Sequence, residues 1–223
     1  MMRGIRWVTI ATLWINGLFL VAEEGPTILA FGDSITEGGK TFVSYREVLI
    51  PKMKEMNLSF KFIGPKKDGA SSHSGYGGKS TNSLLKVSKK IYKAHPADIV
   101  LIHSGHNSFS DQKPIPGIIK DTETILQNFR EINPKVTVLL AQVIHAGKLP
   151  KYSYIPELNK ELASLVERLL TKGFQVKLVN QATGFDWKTD TISDKVHPNL
   201  KGATKMADKW LAAMMPMLNR KMK

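Results

Sequence analysis

Three stretches of this chain, residues 27–31 (TILAF), 98–103 (DIVLIH) and 135–142 (KVTVLLAQ), are nearly continuous apolar runs, the pattern required of parallel strands covered on both faces. Residues 58–63 (LSFKFI) alternate apolar and polar side chains as a half-exposed strand does, and residues 175–180 (QVKLVN) complete a set of five. Amphipathic stretches fall between them, at about residues 41–56, 79–94, 116–131, 155–172 and 199–215. In the last, Leu200, Ala203, Met206, Trp210 and Met214 recur at helical spacing while Lys201, Lys205 and Lys209 line another face. Pro51 is expected to kink or break the first helix. Strand and helix in strict alternation predict an α/β fold, a three-layer α/β/α sandwich around a five-stranded parallel sheet. No repeat, low-complexity block or linker interrupts it, so one domain is expected over residues 25–223.

The segment before that domain has a different character. Arg3 and Arg6 precede residues 7–22, which carry no charge and end in Leu20-Val21-Ala22 ahead of Glu23-Glu24. A basic start, an apolar run and a small residue before an acidic pair predict a secretory signal peptide over residues 1–22, cleaved after Ala22. The run falls short of the roughly 20 residues of a comfortable membrane span, so no stable span is expected after cleavage. The reading places the protein outside the cytoplasm, secreted or periplasmic.

Lys and Arg number 32 against 19 Asp and Glu, a formal net charge of +13, and the leader accounts only for Arg3 and Arg6. Such a balance draws anionic partners. A nucleic-acid module is the non-enzymatic reading of that charge, yet the lysines are spread along the chain and no zinc finger or aromatic-basic motif accompanies them. No nucleic acid is therefore expected, and anionic polysaccharide is the expected charged partner. The absence of cysteine removes thiolate nucleophiles, disulfides, Cys-ligated zinc and iron–sulfur clusters together.

A sheet of this kind binds ligands in the crevice beyond the C-terminal ends of its strands. The loop after the first strand reads Gly32-Asp33-Ser34-Ile35-Thr36-Glu37-Gly38, and the last loop reads Ser193-Asp194-Lys195-Val196-His197-Pro198. A serine hydroxyl is a weak nucleophile until a base takes its proton, and a histidine serves as base when a carboxylate fixes its tautomer. Ser34, His197 and Asp194 can supply those three roles. The loop holding Ser104-Gly105-His106-Asn107 and the glycine-rich run Gly75-Tyr76-Gly77-Gly78-Lys79-Ser80-Thr81 offer donors for an oxyanion.

GDSIT at 32–36, GYGGKST at 75–81, GHN at 105–107 and DKVH at 194–197, in this order, resemble the four blocks of the SGNH (GDSL-type) hydrolases. The resemblance spans the whole predicted domain. It implies a flavodoxin-like α/β/α fold, Ser34 as nucleophile, His197 as base and Asp194 as its orienting acid. It also implies an oxyanion hole made by the Ser34 and Gly78 backbone N–H groups and the Asn107 side chain. Gly78 is preferred to Gly75 and Gly77 because it lies nearest the next helix. The third block departs from the usual Gly-x-Asn-Asp, since Ser108 follows Asn107, and a supporting carboxylate is lost from that loop.

Asp33 and His106 are expected to contact substrate. No metal and no cofactor is expected, because His103, His106 and His145 lack an accompanying carboxylate-rich ligand spacing. Residues 34–41 (SITEGGKT) and 73–80 (HSGYGGKS) mimic a phosphate-binding loop but lack its leading glycine. The expected function is a secreted serine esterase that removes O-acyl, chiefly O-acetyl, groups from small-molecule or polysaccharide carbohydrate esters. The alternatives are a lipid or lysophospholipid acyl esterase, and a non-catalytic basic protein that binds polysaccharide or nucleic acid.

Overall fold

The computed structural model describes residues 25–109 and 112–218. The leader predicted over residues 1–22 lies outside the described residues. Strand β1 (Thr27–Gly32) is followed by the single-turn helix α1 (Ser34–Glu37) and by α2 (Tyr45–Glu55). Three short strands come next, β2 (Lys61–Ile63), β3 (Lys66–Lys67) and β4 (Ser72–Gly75), and then α3 (Thr81–Ala94) and β5 (Ile99–His103). A 3₁₀ turn at His106–Ser108 leads to α4 (Pro114–Ile132), β6 (Thr137–Ala141), α5 (Ile155–Thr171), β7 (Val176–Val179), α6 (Trp187–Asp190) and α7 (Leu200–Leu218).

The sheet has seven strands rather than the five predicted: its parallel part fills five positions, one of them shared by two segments, and β3 adds an antiparallel edge. Thr27–Leu29 of β1 pair with β2, and Phe31–Gly32 pair with β4, both parallel. On its other side β1 pairs with β5, then β6 and β7 follow in parallel order. Between β2 and β4 the chain leaves the sheet and folds β3 back antiparallel against β4. The second strand predicted over residues 58–63 forms only over Lys61–Ile63, and Ser72-His73-Ser74-Gly75 finishes its position without one apolar side chain to announce it.

Successive strand residues face opposite ways, and the core divides accordingly. Leu29, Phe31, Val100, Ile102, Val138 and Leu140 pack beneath α3, α4 and α5. Ile28, Ile99, Leu101, Leu139 and Ala141 pack against α2 and α7, where Trp210 is fully buried beside Tyr45. Helix α2 begins at Tyr45 rather than 41 because Ser44 caps it, donating its N–H to Glu47 Oε1 at 2.8 Å in a capping box. The helix continues through Pro51, which is exposed, while Leu49, Ile50 and Met53 around it are buried and hold the turn in place. Among the described residues no helix is long and apolar enough to cross a membrane.

Candidate active site

Where β1 ends, Asp33 caps α1, its Oδ1 accepting the Ile35 N–H at 3.0 Å. Ser34 is the first residue of that turn, and its Oγ lies 2.8 Å from His197 Nε2. His197 Nδ1–H donates to Asp194 Oδ2 at 2.5 Å, so Nε2 turns its lone pair toward Ser34 Oγ. The other oxygen of Asp194 accepts the N–H groups of Val196 and His197 at 2.8 and 2.9 Å, a tight turn that Lys195 completes with a φ of +60°. Burial pushes the Asp194 carboxyl up, but the His197 ring and these two N–H groups outweigh it and hold the group below its ordinary range. It therefore stays ionised where it faces the ring. Phe42 stacks on the His197 ring, 4.2 Å between centroids and 23° between planes, and limits the ring's rotation.

The donors predicted for the oxyanion converge on the same cleft, of about 340 Å³, whose walls include Ser34, Gly78, His106, Asn107, Asp194 and His197. Hydrogen bonds separate the three candidate glycines. Gly75 donates its N–H to His73 Nδ1 at 3.1 Å, and Gly77 donates to the Glu37 carboxylate at 2.5 Å. Gly78, which lines the cleft, has a φ of +71°, a conformation that favours glycine, and open space where a Cβ would stand. Asn107 Nδ2 donates one hydrogen to Lys79 O at 3.2 Å and retains a second. In place of the missing carboxylate after Asn107, Tyr154 Oη–H donates to the carbonyls of Gly105 and His106 at 2.6 and 3.1 Å. A bulky side chain at Gly105 is barred by Leu158 and Val143, so the loop packs tightly from below.

Asp33 does not reach the cleft. It is fully buried, directed inward by its cap to α1, and burial pushes its carboxyl up to about 7. The expectation that it touches substrate is corrected by that geometry: an Asp that caps the turn below the serine faces the interior. His106 does stand on the cleft wall, although 2% exposed, and its Nε2–H donates to Ile144 O at 3.0 Å. Asp33, His103 and His106 hold the ligand-type atoms that could surround an ion among the described residues; His145, also considered from sequence, is not among them.

Two residues that the sequence did not single out brace the nucleophile turn. Arg46, fully buried, donates from Nε to Thr36 O at 2.7 Å and from Nη2 to Glu37 O at 2.7 Å, covering the carbonyls at the end of α1. Its guanidinium also pairs with Asp68 at 2.6 Å and donates to Ser71 Oγ at 2.9 Å. Glu37, paired with Lys66, ties the same turn to Gly77. Burial pushes the Asp68 carboxyl up, but Arg46 and the N–H groups of Ser71 and Ala70 outweigh it and hold it at about 2, below the ordinary 3.8. A carboxyl depressed in the fold stabilises it above its unfolded pKa, and that stability is lost as pH falls through the folded value. The melting temperature is accordingly expected to drop between about pH 4 and pH 2, and Asp68→Asn to flatten that slope in a thermal scan; an unchanged slope refutes the assignment.

Beside the cleft, and sharing Glu37 and Gly38 with it, lies a wider hollow of about 890 Å³. Its carboxylates are occupied: Glu37 by Lys66, Glu47 by the Ser44 N–H, and Asp68 by Arg46. Lys40, Lys54 and Lys67 on its wall leave it positive.

Solved structures share this architecture. Two carbohydrate esterases of family 3 are similar to it. For the protein from Talaromyces cellulolyticus the identity is 21% and the TM-score 0.78, with 86% of this chain and 98% of that one covered. For the one from Clostridium thermocellum the figures are 22%, 0.74, 87% and 97%. A mutant of an acetyl esterase with acetate ion aligns at 21% identity and TM-score 0.77, covering 86% of this chain and 98% of that one. At these identities the likeness speaks to the fold. No curated protein sequence matches significantly. Residues 30–205 match the GDSL-like lipase/acylhydrolase family, a span holding the serine turn, the glycine loop, the Asn107 loop and the Asp194–His197 turn; the chain belongs to that family of carboxylic ester hydrolases.

Proposed function

We propose that the protein is a secreted serine esterase that removes short acyl groups, chiefly acetyl, from hydroxyls of carbohydrates. The observation that carries this reading is the unbroken chain Ser34 Oγ, His197 Nε2, His197 Nδ1, Asp194 Oδ2, with spacings of 2.8 and 2.5 Å, opening into a small cleft. Ser34 Oγ attacks the ester carbonyl as His197 takes its proton. The oxyanion forms against the Ser34 and Gly78 N–H groups and the free hydrogen of Asn107, each such donor contributing on the order of a hundredfold in rate. Collapse breaks the bond to the sugar oxygen, which receives the proton from His197. Water, deprotonated by the same imidazole, then attacks the acyl-serine and releases the carboxylic acid.

The preference for acetyl is supported by the size of the cleft and by the carbohydrate esterases and acetyl esterase of like fold. The preference for acidic polymers is supported by Lys40, Lys54 and Lys67 beside the cleft. A specific observation favours the lipid alternative: a hollow of about 330 Å³ meets the cleft at Tyr152 and includes Leu149, which is 64% exposed. The two readings divide on one set of rates. Acetylated pectin is expected to be hydrolysed faster than acetylated xylan, with an advantage that fades as salt rises, and a long-chain lysophospholipid slowest. Faster release of the long acyl chain reverses the substrate assignment, and equal rates on the two polymers at low salt remove the acidic preference.

A further inference from the structure

Below the nucleophile turn three buried polar atoms have no hydrogen-bond partner among the described residues: Asp33 Oδ2, His103 Nδ1 and His106 Nδ1. Their residues stand at the end of β1, the end of β5 and the Asn107 loop, and one carboxylate oxygen of Asp33 and one ring nitrogen of each histidine lie within 4.8 Å of one another. A buried polar atom left unmet costs about 1–3 kcal/mol, so three of them on residues that adjoin one another call for a shared occupant.

Ile144 identifies it. Its N–H donates to His103 Nε2 at 3.4 Å, and its carbonyl accepts from His106 Nε2 at 3.0 Å. One residue thereby fixes opposite tautomers on the two rings. Burial pushes both imidazoles below the ordinary histidine range, His103 to about 4, so each is neutral near pH 7 and carries a single ring proton. His103, accepting at Nε2, holds its proton on Nδ1; His106, donating at Nε2, presents a lone pair on Nδ1.

This pairing disfavours a metal ion, which needs a lone pair from both Nδ1 atoms. Moving the His103 proton to Nε2 sets it against the Ile144 N–H. Water suits the site as it stands. Its oxygen accepts from His103 Nδ1–H, and, with the Asp33 carboxyl ionised, its two hydrogens go to His106 Nδ1 and Asp33 Oδ2. With hydrogen bonds of about 2.8 Å, a tetrahedral water joins partners up to about 4.6 Å apart, close to the 4.8 Å within which the three residues bring a polar atom each.

We propose that Asp33, His103 and His106 bind one buried water molecule that joins the turn bearing Ser34 to the loop bearing Asn107, and that the three act as positioning residues for nucleophile and oxyanion donor. Asp33 caps α1 directly below Ser34, and His106 adjoins Asn107, so the water fixes the distance between attacking oxygen and oxyanion donor. The positioning role rests on the esterase reading; the water site does not.

Long-range ¹H–¹⁵N spectra of the whole protein test the site itself. The expected result is a proton on Nδ1 of His103 and on Nε2 of His106, with no stoichiometric metal in the purified protein by elemental analysis. A His103 proton on Nε2, or one equivalent of bound metal, overturns the water site. Kinetics on p-nitrophenyl acetate test the role. His103→Phe removes the donor to the water, and kcat is expected to fall on the order of ten- to a hundredfold with KM unchanged. Unchanged kcat in a folded His103→Phe protein overturns the positioning role, and if that variant does not fold, the tautomers of the parent protein decide. Should Ser34→Ala keep full activity while the tautomers are as expected, the esterase reading and the positioning role fall and the water site stands.

Discussion

Ser34→Ala is expected to lower the hydrolysis of p-nitrophenyl acetate on the order of 10⁵-fold while leaving the protein folded and able to bind the ester. The substitution removes one oxygen, the only atom of the side chain that His197 Nε2 meets at 2.8 Å. The backbone N–H of residue 34, the Gly78 amide and Asn107 remain, so residual catalysis by the oxyanion donors is the floor. Ser34 is part-exposed at the start of a capped turn, and the cap belongs to Asp33, so little stability is at stake. The measurement is kcat and KM beside a thermal melt. Undiminished turnover in a folded variant removes Ser34 from the mechanism.

Arg46→Ala carries the largest expected cost in stability, about 4 kcal/mol, chiefly from two backbone carbonyls left without their donor, since Asp68 is 37% exposed and water meets its charge. The deletion strands Thr36 O and Glu37 O, which receive the guanidinium at 2.7 Å, and leaves Asp68 without its cation. At roughly 2–4 °C per kcal/mol for a chain of this size, the melting temperature is expected to fall by roughly 12 °C. Lysine recovers little, because a single ammonium cannot reach two carbonyls, a carboxylate and a hydroxyl in one plane. A melting temperature within a degree or two of the parent value shows that the clamp is dispensable. Activity is expected to fall further than stability alone explains, since α1, which Arg46 covers, carries Ser34.

The strands that fill both faces of the sheet were readable because burial on two sides leaves an unmistakable apolar run. The segment Ser72–Gly75 was not, because its place depends on pairing with Phe31 and Gly32 and on no hydrophobic signal of its own. Ser34, Asp194 and His197 were found as residue types in the right order at strand ends, and the structure brings them together across 163 positions of sequence. Asp33 shows the limit of that logic. Adjacency to the nucleophile suggested a place in the cleft, whereas its capping geometry turns it inward, and an Asp-Ser pair at a helix start carried that second message too. Phe42, Glu37 and Arg46 left no trace because each acts through contacts set only by tertiary packing. Tyr154, which braces the Asn107 loop from the start of α5, belongs with them.

The rungs of the sheet have one more consequence. Gly32 pairs with Gly75 on one side and with His103 on the other, so the segments leading to Ser34, Gly78 and Asn107 all depart from a single level of the ladder. That half of the machinery is as stiff as the sheet itself. The other half, Asp194 and His197, arrives on a loop beyond β7, docked through the Thr191–Pro198 bridge and the Asn199 side chain on the carbonyls of Thr189 and Thr191. Attack and activation thus have separate mechanical supports. Whatever loosens the second, through heat, proteolysis or divergence of the loop, silences the enzyme while an intact ester-binding cradle persists, so a catalyst and a binder of acyl esters stand one loop apart on the same scaffold.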